Sequence, residues 1–126
     1  MLDVQYPDDC GNAPKKKVIL ALNIAFAKGD VEGVLAFLDP AATWEMVGDK
    51  VLRGHGQIGS MLRHMASYQA RKLEMFQIIT HGKDASARGV LEFGNSRVRF
   101  ADFYEFTSAG SSKLKRMTSF ALDEGL

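Results

Sequence analysis

The chain has 126 residues, which leaves room for one domain, and a composition 46% hydrophobic and 25% charged excludes disordered, collagen-like and low-complexity classes. Sixteen Lys and Arg against fifteen Asp and Glu leave a net charge of +1, without the basic excess that binding to a phosphate backbone calls for. The single cysteine, Cys10, permits neither an internal disulfide nor a cysteine-based metal site, and no apolar run approaches the ~20 residues of a spanning helix. The amino terminus is acidic and lacks the apolar core of a secretory signal. The expectation is a soluble, cytoplasmic domain with neither a nucleic-acid nor a membrane partner.

Residues 1–12 read as an arm, because Tyr6-Pro7-Asp8-Asp9 and Gly11-Asn12 are turn formers without periodicity. The single domain is then 13–126. Pro14 suits the first turn of a helix capped near Asn12 or Ala13, and Val18, Ile19, Leu22, Ala25 and Phe26 make one apolar stripe. Gly29 stops this helix, and Asp30 can cap a second, shorter one that buries Val31, Val34, Leu35 and Leu38 and ends at Asp39-Pro40.

The period changes at Thr43–Val47, where Trp44 and Met46 point one way and Glu45 and Val47 the other. Gly48-Asp49 is a turn, and 50–53 a short returning strand. A third helix follows Gly54 and Gly56, with Ile58, Met61, Leu62 and Met65 on one face. Strands are expected at 73–81, 84–94, 97–107 and 113–122, with hairpin-length separators. Three helices followed by an antiparallel meander make an α+β fold, in which the helices cover one face of a curved sheet.

The informative strand runs from Arg97 to Phe106. Val98, Phe100, Asp102, Tyr104 and Phe106 form an apolar face interrupted by one carboxylate. A carboxylate there costs several kcal/mol if it stays ionised in a dry site. Asp102 must therefore be paired, for instance with Arg116, Thr118 or a backbone amide, or be protonated, or border a wet pocket. Alternation from Leu114 puts Arg116, Thr118, Phe120 and Leu122 on one face, which makes Arg116 the nearest cation. Trp44 and Met46 are either core or an aromatic pocket wall, and Tyr104 can offer its hydroxyl to Asp102 or to a ligand.

The histidines make no site by themselves. His64 lies off the helix stripe, His55 sits in a Gly-His-Gly turn, and His81 at a strand end can reach a pocket mouth. No pair has metal-ligand spacing, so no metal is expected. Gly54, Gly56 and Gly59 match a Gly-x-Gly-x-x-Gly spacing but lack a βαβ unit, which argues against a dinucleotide site. There is no phosphate loop and no nucleophile elbow.

Taken together, Ala21-Leu22-Asn23, Lys28-Gly29-Asp30-Val31-Glu32-Gly33-Val34, Pro40-Ala41-Ala42-Thr43-Trp44-Glu45, Leu52-Arg53-Gly54 and Ala101-Asp102-Phe103-Tyr104-Glu105-Phe106 make the chain resemble the nuclear transport factor 2-like superfamily over about residues 14–122. That superfamily includes ketosteroid isomerases, SnoaL-like polyketide cyclases and limonene epoxide hydrolases. The resemblance implies a cystatin-like cone: three helices on a strongly curved, mostly antiparallel sheet, with an internal pocket onto which the Asp102 face looks.

It also implies three position-by-position comparisons. The ketosteroid isomerases use a helix tyrosine, a carboxylate base after the first strand and an aspartic acid on the penultimate strand. Asp102 matches the last, while the tyrosine falls on Leu22 and the base near Met46, with Glu45 on the opposite face. SnoaL-type cyclases use a pocket aspartate at a position similar to Asp102, with a histidine for which only His81 is available. The epoxide hydrolases need an Asp-Arg-Asp set, and here the corresponding positions are Arg88-Gly89-Val90 and Ser119.

The expected site is Asp102 as acid or base, in a pocket of Trp44, Met46, Phe100, Tyr104, Arg116 and His81, acting on a small apolar molecule without a cofactor. Two functions follow. One is acid/base isomerisation or cyclisation of an apolar carbonyl compound. The other is a non-catalytic ligand-binding or protein-interaction module. A second titratable group facing Asp102 discriminates them, the candidates being Glu45, His81 and Arg116. The resemblance further implies a homodimer through the outer sheet face, with Phe103 among Arg97, Arg99 and Glu105, and Met117 and Ala121 beside it.

Overall fold

The computed structural model describes residues 1–8 and 13–125. Helix α1 (Pro14–Lys28) begins at Ala13 with Pro14 in its first turn and no side-chain cap. It ends at Gly29, whose φ of 73° is left-handed, and whose missing Cβ would lie 2.6 Å from the Ala66 carbonyl oxygen. Both conditions require glycine. Asp30 caps helix α2 (Val31–Leu35) by accepting a hydrogen bond from the Gly33 amide at 3.0 Å. Helix α3 (Gly54–Met65) buries Ile58, Gly59 and Leu62, while Met61 is half-buried and Met65 exposed.

A seven-stranded sheet supports them. Its strands are β1 (Asp3–Gln5), β2 (Leu38–Met46), β3 (Lys50–Arg53), β4 (Lys72–His81), β5 (Asp84–Glu92), β6 (Arg97–Phe106) and β7 (Leu114–Asp123), in the order β1-β4-β5-β6-β7-β2-β3. The meander β4–β7 is antiparallel. β2 lies parallel to β7, and β1 parallel to β4. The three helices pack on one face of this curved, unclosed sheet, in an α+β cone. The core between the layers includes Ile19, Leu38, Ile58, Leu73, Phe106 and Leu114, all 0–2% exposed.

Three expectations are corrected. Asp39-Pro40 does not end a helix: β2 already begins at Leu38. Pro40 falls where the register between β2 and β7 is interrupted, between Leu38 and Thr43, so its missing N–H breaks no ladder. Within the expected arm, Asp3–Gln5 pairs with Lys72–Glu74, with Leu2 and Val4 packed against the core; positions 9–12 of that arm, including Cys10 and Asn12, lie outside the described residues.

The third correction concerns β7. Phe106 pairs with Leu114 but Glu105 with Arg116, so Lys115 is an extra residue. This bulge reverses the alternation. From there Met117, Ser119 and Ala121 face the helices, opposite Tyr104, Asp102 and Phe100, and Arg116, Thr118, Phe120 and Leu122 face outward. Arg116 consequently meets Glu105 at 3.7 Å, along with Lys83 at 3.0 Å and Lys115 at 3.3 Å. The Lys83 hydrogen bond is the main cause that holds the Glu105 carboxyl below its ordinary value. Met117 is 4% exposed and does not belong to the outer surface, where Phe103 instead meets Phe120 edge-on at 6.1 Å between centroids.

Candidate functional site

On β5 the residues opposite Tyr104, Asp102 and Phe100 of β6 are small, Ala85, Ala87 and Gly89, and Leu91 lies opposite Val98. Between the sheet and the helices the structure holds a cavity of about 460 Å³. That size suits a small molecule. Trp44, Met46, Phe100 and Tyr104 line it, as do Leu22, Phe26 and Met61, with Val47, Asp49, Lys50 and Met65 at the exposed rim. Trp44 packs edge-on against Phe26 at 5.8 Å. A second hollow, about 280 Å³, lies open on the other side of the sheet around Phe76, Arg88 and Arg99, and contains no carboxylate.

Asp102 is half-buried in the wall of the inner cavity. Two hydroxyls hold it. The Tyr104 hydroxyl donates to Oδ2 at 2.9 Å, and Ser119, its cross-strand partner, is also hydrogen-bonded to it. Desolvation pushes the carboxyl up to about 6 from its ordinary 3.8, while the bonds from Ser119 and Tyr104 pull the other way. Tyr104 is held well above its ordinary value, first by burial and then by the negative charge of Asp102. A carboxyl with a value near 6 is ionised at neutral pH and close enough to it to exchange a proton.

Behind the hydroxyls stand two N–H donors. Asn23 Nδ2 donates to the Ile19 carbonyl at 2.9 Å and to the Tyr104 oxygen at 3.1 Å; Trp44 Nε1 donates to Ser119 Oγ at 2.8 Å. Asn23 and Ser119 were not among the expected site residues. The signal for Asn23 was present, because it follows Ile19 by one helical turn and is a polar residue on an apolar stripe. Ser119 required the β7 bulge.

The structure places the expected residues in two groups. Asp102, Trp44, Met46, Phe100 and Tyr104 share the cavity. Arg116 is on the outer face with Glu105, and His81 is exposed at the end of β4, opposite Asp84. Glu45 is exposed and, alternating with Trp44 and Met46 of the cavity wall, points away from the cavity. His55 instead sets its Nε2 2.8 Å from the Leu38 carbonyl oxygen, which ties α3 to β2. Arg88 donates to Gln77 at 3.1 Å outside the cavity, and Ser119 lies in the cavity wall opposite Asp102. Among the described residues no group of three or more His, Cys, Asp or Glu side chains converges as a metal site, and no helix is long and apolar enough to cross a membrane.

The family model of the SnoaL-like domain matches residues 19–114. Among curated proteins none matches the chain. Of the solved structures, the epoxide hydrolase/cyclase-like enzyme SalBIII, described in pyran ring formation in the polyether salinomycin, superposes with a TM-score of 0.74 at 19% identity, over 90% of this chain and 94% of that one. An LEH-like epoxide hydrolase from M. tuberculosis gives 0.66 at 20% identity, over 84% and 80%. A de novo designed protein with a curved β-sheet gives 0.72 at 18% identity, over 86% and 84%. At these identities the likeness speaks for the fold. A designed protein shares it, so activity has to be argued from the residues in the cavity.

Proposed function

The chain belongs to the SnoaL-like domain family, and from that premise we propose that Asp102 is the general base of an acid/base reaction, an isomerisation or cyclisation, on an apolar carbonyl compound. The observation that carries this reading is a carboxyl poised near 6 in a mostly apolar cavity, fixed by two hydroxyls. Burial raises the basicity of the carboxylate, and the rigid bonds from Tyr104 and Ser119 aim it. The apolar wall of Trp44, Phe26 and Phe100 orients the substrate by shape.

The probe that tests this is 5-nitrobenzisoxazole, a small planar carbon acid. A base removes its C3 proton, the C–H electron pair forms the nitrile, and the N–O bond breaks to release a coloured phenolate. The expected rate rises with pH through about 6 and is flat above it. Asp102→Asn, which retains the shape but not the basicity, is expected to lower it at least about 100-fold. A rate that stays the same in Asp102→Asn would remove the reading.

Ligand binding without turnover is favoured by one observation. Glu45, His81 and Arg116 all lie away from Asp102, and Asp49 and Lys50, the other charged residues lining the cavity, stand at its rim. Saturable binding of the probe without phenolate release would support that reading.

We further propose a homodimer through the outer sheet face. Phe103 (55% exposed), Phe120 (45%) and Leu122 (63%) form its apolar centre, and charges of both signs, Arg99, Glu105 and Arg116, surround it. Such a patch fits burial against a second copy. Light scattering is expected to report a dimer at micromolar concentration, shifted to monomer by Phe103→Glu. A monomeric native chain would exclude it.

A further inference from the structure

The hydrogen atoms of the cavity wall can be assigned one by one. The Ile19 carbonyl is only an acceptor, so the Asn23 atom 2.9 Å from it is the amide nitrogen. The same nitrogen lies 3.1 Å from the Tyr104 oxygen, and both of its hydrogens are therefore committed. Tyr104 has one proton, and with its oxygen accepting from Asn23, that proton goes to Asp102 Oδ2. The second chain is parallel in logic. Indole N–H is a donor only, so Ser119 Oγ accepts from Trp44, and its single proton is left for Asp102. Both chains begin at an N–H group and end on the same carboxylate.

The consequence is a cavity whose inner wall accepts and does not donate. Each N–H and O–H of Asn23, Trp44, Tyr104 and Ser119 is spent inside the wall. We propose that Asn23 and Trp44 are positioning residues that lock both hydroxyl protons onto Asp102, so that the site selects apolar ligands presenting a hydrogen-bond donor, a hydroxyl or N–H, to that carboxylate. This rests on the reading of Asp102 as the functional group of the cavity, and it adds which end of a ligand goes there. An oxygen that can only accept, a substrate carbonyl included, finds no free partner at the inner wall and belongs toward the rim, where Lys50 stands; leaving it unpaired against the apolar inner wall costs affinity. Among the described residues, the titratable group in contact with Asp102 is Tyr104. Asp49 and Lys50 are at the rim, and α1, α3, β2 and β7 otherwise present Asn23, Phe26, Met61, Met46 and Met117.

A matched pair tests it: 4-tert-butylphenol, which can donate, and 4-tert-butylanisole, which cannot, titrated into the full chain by calorimetry. At pH 7.5 the phenol is expected to bind about tenfold tighter or better, the range of a hydrogen bond to a charged acceptor. At pH 4.5, where Asp102 carries a proton and can donate it, the ratio is expected to fall toward one. Ser119→Ala frees the Trp44 N–H to face the cavity, and Asn23→Leu frees the Tyr104 hydroxyl to turn. Each is expected to lower the phenol-to-anisole ratio at pH 7.5 about threefold or more by admitting the ether. Ser119→Ala is the milder change and carries the test should Asn23→Leu fail to fold. Equal affinity of the native chain for the two probes, or binding of neither at millimolar concentration, overturns the ligand class. An unchanged ratio in Ser119→Ala overturns the lock. None of these readouts involves turnover, so loss of the benzisoxazole reaction with the ratio intact would remove the catalytic reading and leave this one standing.

Discussion

Asp102→Asn is expected to stabilise the folded chain by about 1–3 kcal/mol at pH 8 and to leave its stability unchanged at pH 4. The sign follows from the direction of the perturbation. Asp102 sits at about 6 in the folded protein against 3.8 without burial, so the folded state holds this proton more tightly than the unfolded one. The contribution of Asp102 to stability is then greatest below pH 4, declines as pH rises from about 4 to 6, and is level above that. The gap between 3.8 and about 6 corresponds to about 3 kcal/mol, an upper bound. Asparagine removes the cost of burying charge but gives up the strength of two hydroxyl-to-carboxylate bonds, which sets the lower end of the range. Urea denaturation at the two pH values checks it. Equal stability of both proteins at pH 8 would mean that Asp102 is not desolvated. Together with the expected loss of benzisoxazole turnover, a gain in stability would identify a group retained at the expense of the fold, the pattern expected of a functional carboxyl.

Gly89→Ala is the second large effect, with a cost of about 3 kcal/mol. A Cβ at this position would lie 2.2 Å from the Glu74 carbonyl oxygen and 3.0 Å from Phe100 Cζ. The first is a backbone atom beside the β4 bulge between Met75 and Gln77, so relief requires β4 and β5 to separate. The second is a ring that lines the cavity. The substitution therefore acts on stability and on the site together: the urea midpoint is expected to drop, and 4-tert-butylphenol to bind several-fold more weakly as Phe100 is pushed inward. A Gly89→Ala protein within 0.5 kcal/mol of the native one would show that the two strands yield there at little cost.

Much of the candidate site is legible in the sequence. Asp102 stands out because a carboxylate among Val98, Phe100, Tyr104 and Phe106 violates the alternation of its own strand, and such a violation needs a local reason. Trp44 and Met46 follow from the same period of two. Arg116 shows the limit of this reasoning. Its assignment to Asp102 depended on counting outward from Leu114, and one extra residue, Lys115, turned the count over. A bulge is invisible to alternation because it is the point at which alternation stops. His81 is a different case: strand position alone placed it near a pocket mouth, but the hairpin with Asp84 sets it in solvent. Asn23 was legible as a polar residue on a buried stripe, although its partner, Tyr104, is 81 residues away.

Local patterning by itself determined the kind and order of the elements from the Pro14 start and the Gly29 stop of α1 to the four-stranded meander, though not β1 or the first residues of β2, because capping, turn chemistry and periodicity act over a few residues. It also determined that Asp102 had to be accounted for. Only the tertiary structure decided how: it brought Ser119 opposite Asp102 through a bulge, and stood Asn23 and Trp44 behind the two hydroxyls. It also opened the cavity between the helices and the inner faces of β2, β6 and β7. The direction of a hydroxyl proton depends on what lies on its far side, and here that neighbour comes from another strand or helix.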